Sequence, residues 1–182
     1  MNKDNNDYFS SSDSYRQMPL FKKGEEIIET VRQIASLIPE DDTILQDIMG
    51  MILGDAYMLT AKIANAEGGE FYNLKMQNAA IIRKAAMDLF VSYHSLKMHG
   101  FKHAEYYMMV RELIEEYRQL FVKWVDSFDK SLYLVDRWNV FNPPGVHYTD
   151  KDPDIDFGFD FDDDDDDDFF GFTDKFDDED II

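Results

Sequence analysis

The stretch Tyr107-Met-Met-Val-Arg-Glu-Leu-Ile-Glu-Glu-Tyr-Arg-Gln-Leu-Phe-Val-Lys-Trp-Val-Asp-Ser-Phe128 decides the fold. Its large apolar residues stand at Tyr107, Val110, Ile114, Tyr117, Phe121, Trp124 and Phe128, in steps that alternate three and four. Such steps return a side chain to the same side of an α-helix, so these residues share one face. Most residues between them are charged or polar. The pattern predicts an amphipathic helix with one side turned to a core.

The pattern repeats upstream. Ala79, Ile82, Ala86, Leu89, Tyr93 and Leu96 carry the same alternation, in a helix that starts near Phe71 and for which Gly100 supplies a C-terminal cap. Leu45, Ile48, Ile52, Ala56, Leu59, Ile63 and Ala66 form an earlier stripe, with Asp41 or Asp42 as N-cap and Gly68-Gly69 as breaker. Ile27, Val31, Ile34 and Ile38 form the first, which Pro39 is expected to end. The fourth helix is expected to run on toward Trp138, before Pro143-Pro144-Gly145 stops regular structure. No alternating strand pattern competes. The predicted fold is all-α: an antiparallel up-down four-helix bundle over residues 20–140. Residues 1–19, rich in Asn, Asp and Ser, read as a disordered leader, and residues 141–182 as a disordered acidic, aromatic tail.

Ile81, Phe90, Met108, Met109, Leu120 and Val125 lie off the main stripes. They are either part of a generous core or a second apolar face for self-association.

Charge divides the chain unevenly. The formal net charge is −20, yet residues 1–149 hold 21 acidic and 16 basic side chains, so most of the excess follows Asp150. Seven consecutive aspartates, Asp162 to Asp168, cannot be buried and must stay in water. Phenylalanine nevertheless recurs around them. That combination predicts a segment recognised by a basic, partly apolar groove, in a partner or over a nucleic-acid site that the tail covers. Its expected contact residues are Phe157, Phe159, Phe161, Asp162, Asp165, Asp168, Phe169, Phe170 and Phe172.

Several chemistries find no residues here. The chain has no cysteine, which excludes disulfides and thiolate sites. No Glu-x-x-His pair supports a di-iron bundle, and the phosphate-loop, dinucleotide and Gly-x-Ser-x-Gly motifs are absent. The aspartate run lacks the spacing of an EF-hand loop. Asp55 is expected to pair with Arg83 inside the bundle, as a structural ion pair. Histidines 94, 99 and 103 gather near one turn, where partly solvated loop ends are the ordinary reading. No catalytic constellation, cofactor or metal is expected, and the protein reads as a non-enzyme. The N-terminus has no apolar signal core and no run approaches the roughly 20 apolar residues of a membrane span, so a cytoplasmic protein without a membrane partner is expected.

Positive charge concentrates in the second half of the bundle. Arg83, Lys84, Lys97, Lys102, Arg111 and Arg118 are the candidate nucleic-acid contacts, since Arg and Lys on helices commonly meet backbone phosphates. Arg111 and Arg118 are one heptad apart and share a face. Solvated helix surface is the alternative.

Three stretches carry a resemblance: Ala66-Glu67-Gly68, then Arg83-Lys-Ala-Ala-Met-Asp-Leu-Phe90, then Tyr106 through Leu120 with Lys123-Trp124-Val-Asp-Ser127. Over roughly residues 22–130 the chain resembles the four-helix proteins encoded by rRNA intervening sequences and the accessory variability determinant of diversity-generating retroelements. The resemblance implies a bundle that assembles as a pentamer and an accessory protein that binds a reverse transcriptase, and RNA. The six basic residues above would carry the nucleic-acid contacts. Those relatives are typically strongly basic, whereas this domain is mildly acidic. The expected function is therefore an oligomeric accessory bundle for a reverse transcriptase or other basic protein, with RNA as a second partner and the tail modulating access. The alternative is an interaction scaffold whose tail recruits a basic partner.

Overall fold

The computed structural model describes residues 14–154, and the expectations for residues 1–13 of the leader and for the tail contacts from Phe157 to Phe172 fall outside them. Four α-helices account for the described fold: α1 (Pro19–Ala35), α2 (Thr43–Glu67), α3 (Tyr72–Met98) and α4 (Met108–Asp126). Short 3-10 turns, Ser14–Gln17 and Ala104–Tyr107, precede α1 and α4. No strand occurs among the described residues. Each helix packs on the next in the chain, and α1 packs on α4, so the four close around a common interior.

The apolar stripes make that interior. All seven stripe residues of α2 are buried, as are Ile27, Val31, Ile34 and Ile38. On α4, Tyr107, Val110, Ile114, Tyr117, Trp124 and Phe128 are buried, with Phe121 half-buried beside them. No buried polar or charged residue occurs among the described residues. Two tyrosines bring hydroxyls inside, and both are satisfied: Tyr107 donates to the Leu89 carbonyl oxygen and Tyr117 to that of Leu59, each at 3.0 Å.

The helix ends follow local chemistry. Pro19 opens α1, where its fixed φ suits the first turn and its missing N–H costs nothing. Asp42 is the residue that caps α2, accepting from the Leu45 N–H at 3.1 Å. Gly100, at φ +79°, closes α3. The Phe101 N–H reaches the Leu96 carbonyl at 3.0 Å and the Gly100 N–H that of Lys97 at 3.2 Å, the paired bonds of a Schellman cap.

Four boundaries differ from the sequence expectation, the last of them at residue 141. α1 stops at Ala35 rather than at Pro39, because Pro39 has no N–H to donate to the Ala35 carbonyl and its ring crowds that group. Tighter bonds, Leu37 N–H to Ile34 and Ile38 N–H to Ala35, carry the chain to Ile38 and keep that side chain buried. Residues 14–19 are ordered against the bundle rather than part of a leader, with the Tyr15 ring 5.2 Å from that of Phe21. α4 ends at Asp126, well short of Trp138. There the Ser127 hydroxyl donates to the Trp124 carbonyl oxygen at 2.6 Å, and Asp129 turns the chain by accepting from the Ser131 N–H at 2.8 Å.

The chain beyond α4 then returns to the start of α3. The Leu132 carbonyl accepts the Tyr72 N–H at 2.8 Å, and Asn73 Oδ1 accepts the Leu134 N–H at 3.2 Å. The first turn of a helix has N–H groups without intrahelical partners, and this segment supplies one. Residues 141–154, expected to belong to the disordered tail, are tied to the same place. Asp152 accepts from the Val135 N–H at 2.6 Å, and Arg137 donates to the Tyr148 and Asp150 carbonyls at 2.8 Å.

Candidate functional site

The off-stripe residues of α3 and α4 decide where a surface is left open. Successive turns of α3 place Met87, Phe90 and Val91 beside the core stripe, and α4 does the same with Val122. No other helix covers them, and all four are exposed. Between the helices lies a groove of about 560 Å³, floored by Ile82, Ala86, Ile114, Tyr117 and Phe121. Arg83 stands on its α3 side and Glu115 and Arg118 on its α4 side. Arg111 lies at the Phe90 end, with its guanidinium carbon 4.1 Å from the centre of that ring. Its Nε is buried and has no hydrogen-bond partner among the described residues.

The six basic candidates are not one strip. Arg83, Arg111 and Arg118 gather around the groove. Arg118 is held by Glu115, with its Nε 3.0 and 2.9 Å from the two carboxylate oxygens. That bond holds the Glu115 carboxyl below the usual carboxylate range. Arg83 has no ion pair among the described residues. Lys84 points the other way, toward α2, and pairs with Asp88 one turn on. Lys97 sits over the Tyr93 ring at 5.8 Å, and it and Lys102 lie at the turn between α3 and α4, away from the groove.

The expected Asp55–Arg83 pair does not form. A residue step on a helix turns a side chain by about 100°, so Lys84 rather than Arg83 comes round to α2. Burial first, and then the Asp88 carboxylate, raise the Asp55 pKa, with Lys84 opposing. The histidines near the α3–α4 turn do not converge either. His103 stacks flat on Tyr106, and His99 Nδ1 lies 2.8 Å from the Ser95 carbonyl oxygen. No cluster of metal-ligating side chains occurs among the described residues.

Gly50 and Gly54 stand one turn apart on α2. Within the chain nothing approaches them: a Cβ at either would meet no atom within 4 Å. With Met51 (67% exposed) and Met58 they form an open face of α2. Gly24 is the glycine that does allow close packing, since a Cβ there would stand 2.8 Å from Thr60 Cγ2.

The sequence reading marked Phe90 as off-stripe but passed over Met87, Val91 and Val122. A signal was present, because all three are apolar at positions beside a helical seam. It also passed over Glu115 as the group that occupies Arg118, although the i,i+3 spacing announces such a pair. No helix among the described residues is long and apolar enough to cross a membrane. Comparison with known protein families, with characterised proteins and with solved structures gives no match.

Proposed function

We propose that this protein is a non-enzymatic binding module, whose α3–α4 groove takes an acidic, apolar segment of a protein partner. The observation that carries the reading is the exposed apolar rim of Met87, Phe90, Val91 and Val122, with the guanidinium groups of Arg83 and Arg111 beside it. Apolar area supplies the affinity, and the guanidinium groups select carboxylates over other charges. A phosphate-contacting strip is the weaker reading. Lys84 and Arg118 are already paired with carboxylates, and the domain as a whole is acidic. A reverse transcriptase, the partner implied by the resemblance, fits this proposal only if it presents such a segment.

In this reading the bundle is antiparallel and up-down. The end of α2, the start of α3 and the end of α4 meet at one pole, which supports it: Trp124 Nε1 donates to Glu67 at 2.8 Å, and Tyr72 is bonded to Leu132 just past α4. Assembly into a homo-oligomer, a pentamer by resemblance, belongs to the same proposal and is supported by the open α2 face at Gly50, Met51 and Gly54. Light scattering of the full chain tests it, and a monomer mass at micromolar concentration removes it.

The groove itself is tested by fluorescence anisotropy with a labelled peptide of alternating Phe and Asp, and with a labelled single-stranded RNA. The full chain should bind the peptide, and Val91→Glu, on an exposed side chain, should weaken it by at least about tenfold through lost apolar contact and a like charge. Peptide binding that ignores Val91→Glu, or RNA binding tighter than peptide binding, overturns the proposal.

A further inference from the structure

We infer that the chain's own C-terminal segment, Asp156-Phe-Gly-Phe-Asp-Phe161 and the aspartates after it, seats in the α3–α4 groove and competes there with outside ligands. The inference rests on the groove being a docking site and adds what occupies it first.

Charge and pattern match. Residues 155–182 carry 14 acidic and one basic side chain, the opposite sign to Arg83 and Arg111 beside the groove, where Arg118 is already taken by Glu115. Phe157, Phe159 and Phe161 are spaced by two, which places them along one edge of an extended chain. That edge suits a long apolar floor between two helices. Asp156, Asp160 and Asp162 then lie on the outer edge of that chain, open to long guanidinium side chains rising from the flanks, where Arg83 has no carboxylate of its own and the Arg111 guanidinium caps Phe90.

Reach also matches. The described chain ends two residues after Asp152, which is bonded to Val135 beside the first turn of α3. The groove residues Arg83 to Phe90 lie about 15–26 Å further along that helix at 1.5 Å per residue. Phe157 and Phe161 lie five and nine residues past Asp152, about 16–30 Å of extended chain. Phe169 and Phe170 follow with slack. A ligand on so short a tether meets the groove at a high effective concentration, so even weak intrinsic affinity keeps it seated.

The test uses the full chain. A labelled peptide spanning residues 154–172 is titrated against wild type, against the triple variant Phe157→Ser, Phe159→Ser, Phe161→Ser, and against that variant with Val91→Glu added. The triple variant should bind at least about tenfold tighter than wild type, because its groove is vacated. Adding Val91→Glu should abolish the gain. Equal affinity of wild type and triple variant, both still sensitive to Val91→Glu, overturns this inference and leaves the docking groove standing. Binding insensitive to Val91→Glu removes both. A photo-crosslinker at position 159, introduced as Phe159→benzoylphenylalanine, should join residues 82–91 or 114–122 of the same molecule. Crosslinks found only between two copies overturn the intramolecular seat in favour of a second chain.

Discussion

The hydroxyl of Tyr117 donates to the carbonyl oxygen of Leu59 across 3.0 Å, joining α4 to the middle of α2 over 58 residues of sequence. Both residues are almost wholly buried. Tyr107 makes the equivalent bond from the start of α4 to Leu89 on α3. The two tyrosines fix how α4 lies against its neighbours, because each hydroxyl finds its acceptor at only one register.

Tyr117→Phe removes a donor but leaves the Leu59 carbonyl with its helical partner. The expected cost is about 1 kcal/mol by urea unfolding, with a similar cost for Tyr107→Phe. Burial raises both tyrosine pKa values far above the ordinary value near 10. A raised folded pKa means the contribution is intact below the unfolded value and lost as pH rises above it. Stability of the wild type should therefore fall above about pH 10, and the double Phe variant should fall less. Equal alkaline losses in the two proteins would contradict the buried placement.

Gly24 sits where α1 approaches α2 and α4, with Thr60 Cγ2 at 2.8 Å and Tyr117 Cε2 at 3.6 Å from an added Cβ. Gly24→Leu should destabilise by about 1–3 kcal/mol through overpacking, despite its better helix propensity. Gly50→Ala, where nothing lies near, should gain up to about 1 kcal/mol in the monomer. Thermal unfolding of both variants checks the contrast, and a harmless Gly24→Leu would place α1 wrongly.

Asp136 anchors the loop that carries Trp138. Its carboxylate accepts from the Trp138, Val140 and Phe141 N–H groups at 3.0, 2.9 and 2.8 Å. Burial opposes ionisation, but these three donors outweigh it and the pKa is lowered. A lowered folded pKa means the stabilisation holds above the unfolded value near 4 and is lost as pH falls through the folded one. Asp136→Ala should speed amide exchange at residues 138, 140 and 141 by about tenfold or more while leaving α2 unchanged. Unchanged exchange at those amides would refute the anchoring role.

Asp55 is placed unfavourably. Burial and Asp88 raise its pKa, so its charge at neutral pH works against folding. Asp55→Asn should raise the melting temperature slightly at pH 7, by no more than about 2 °C, and give no gain at pH 3 where the wild-type carboxyl is protonated. A loss of stability at pH 7 would mean that Lys84 compensates the charge after all.

The helices were legible in the sequence because helical periodicity is a local property. Three- and four-residue steps at Leu45 to Ala66, or Tyr107 to Phe128, fix a buried face whatever the helix packs against. Caps are equally local, which is why Gly100 was found and the α2 cap was narrowed to Asp41 or Asp42. The segment after α4 was misread because its bonds are distant: Leu132 serves Tyr72 and Asp152 serves Val135, and no sequence period records such pairs. The same reason divides the site. The chain alone set which residues were apolar or cationic. Only packing decided that Met87, Phe90, Val91 and Val122 stay uncovered, that Arg83 faces the groove, and that its neighbour Lys84 turns to Asp88, because exposure depends on where the other three helices lie.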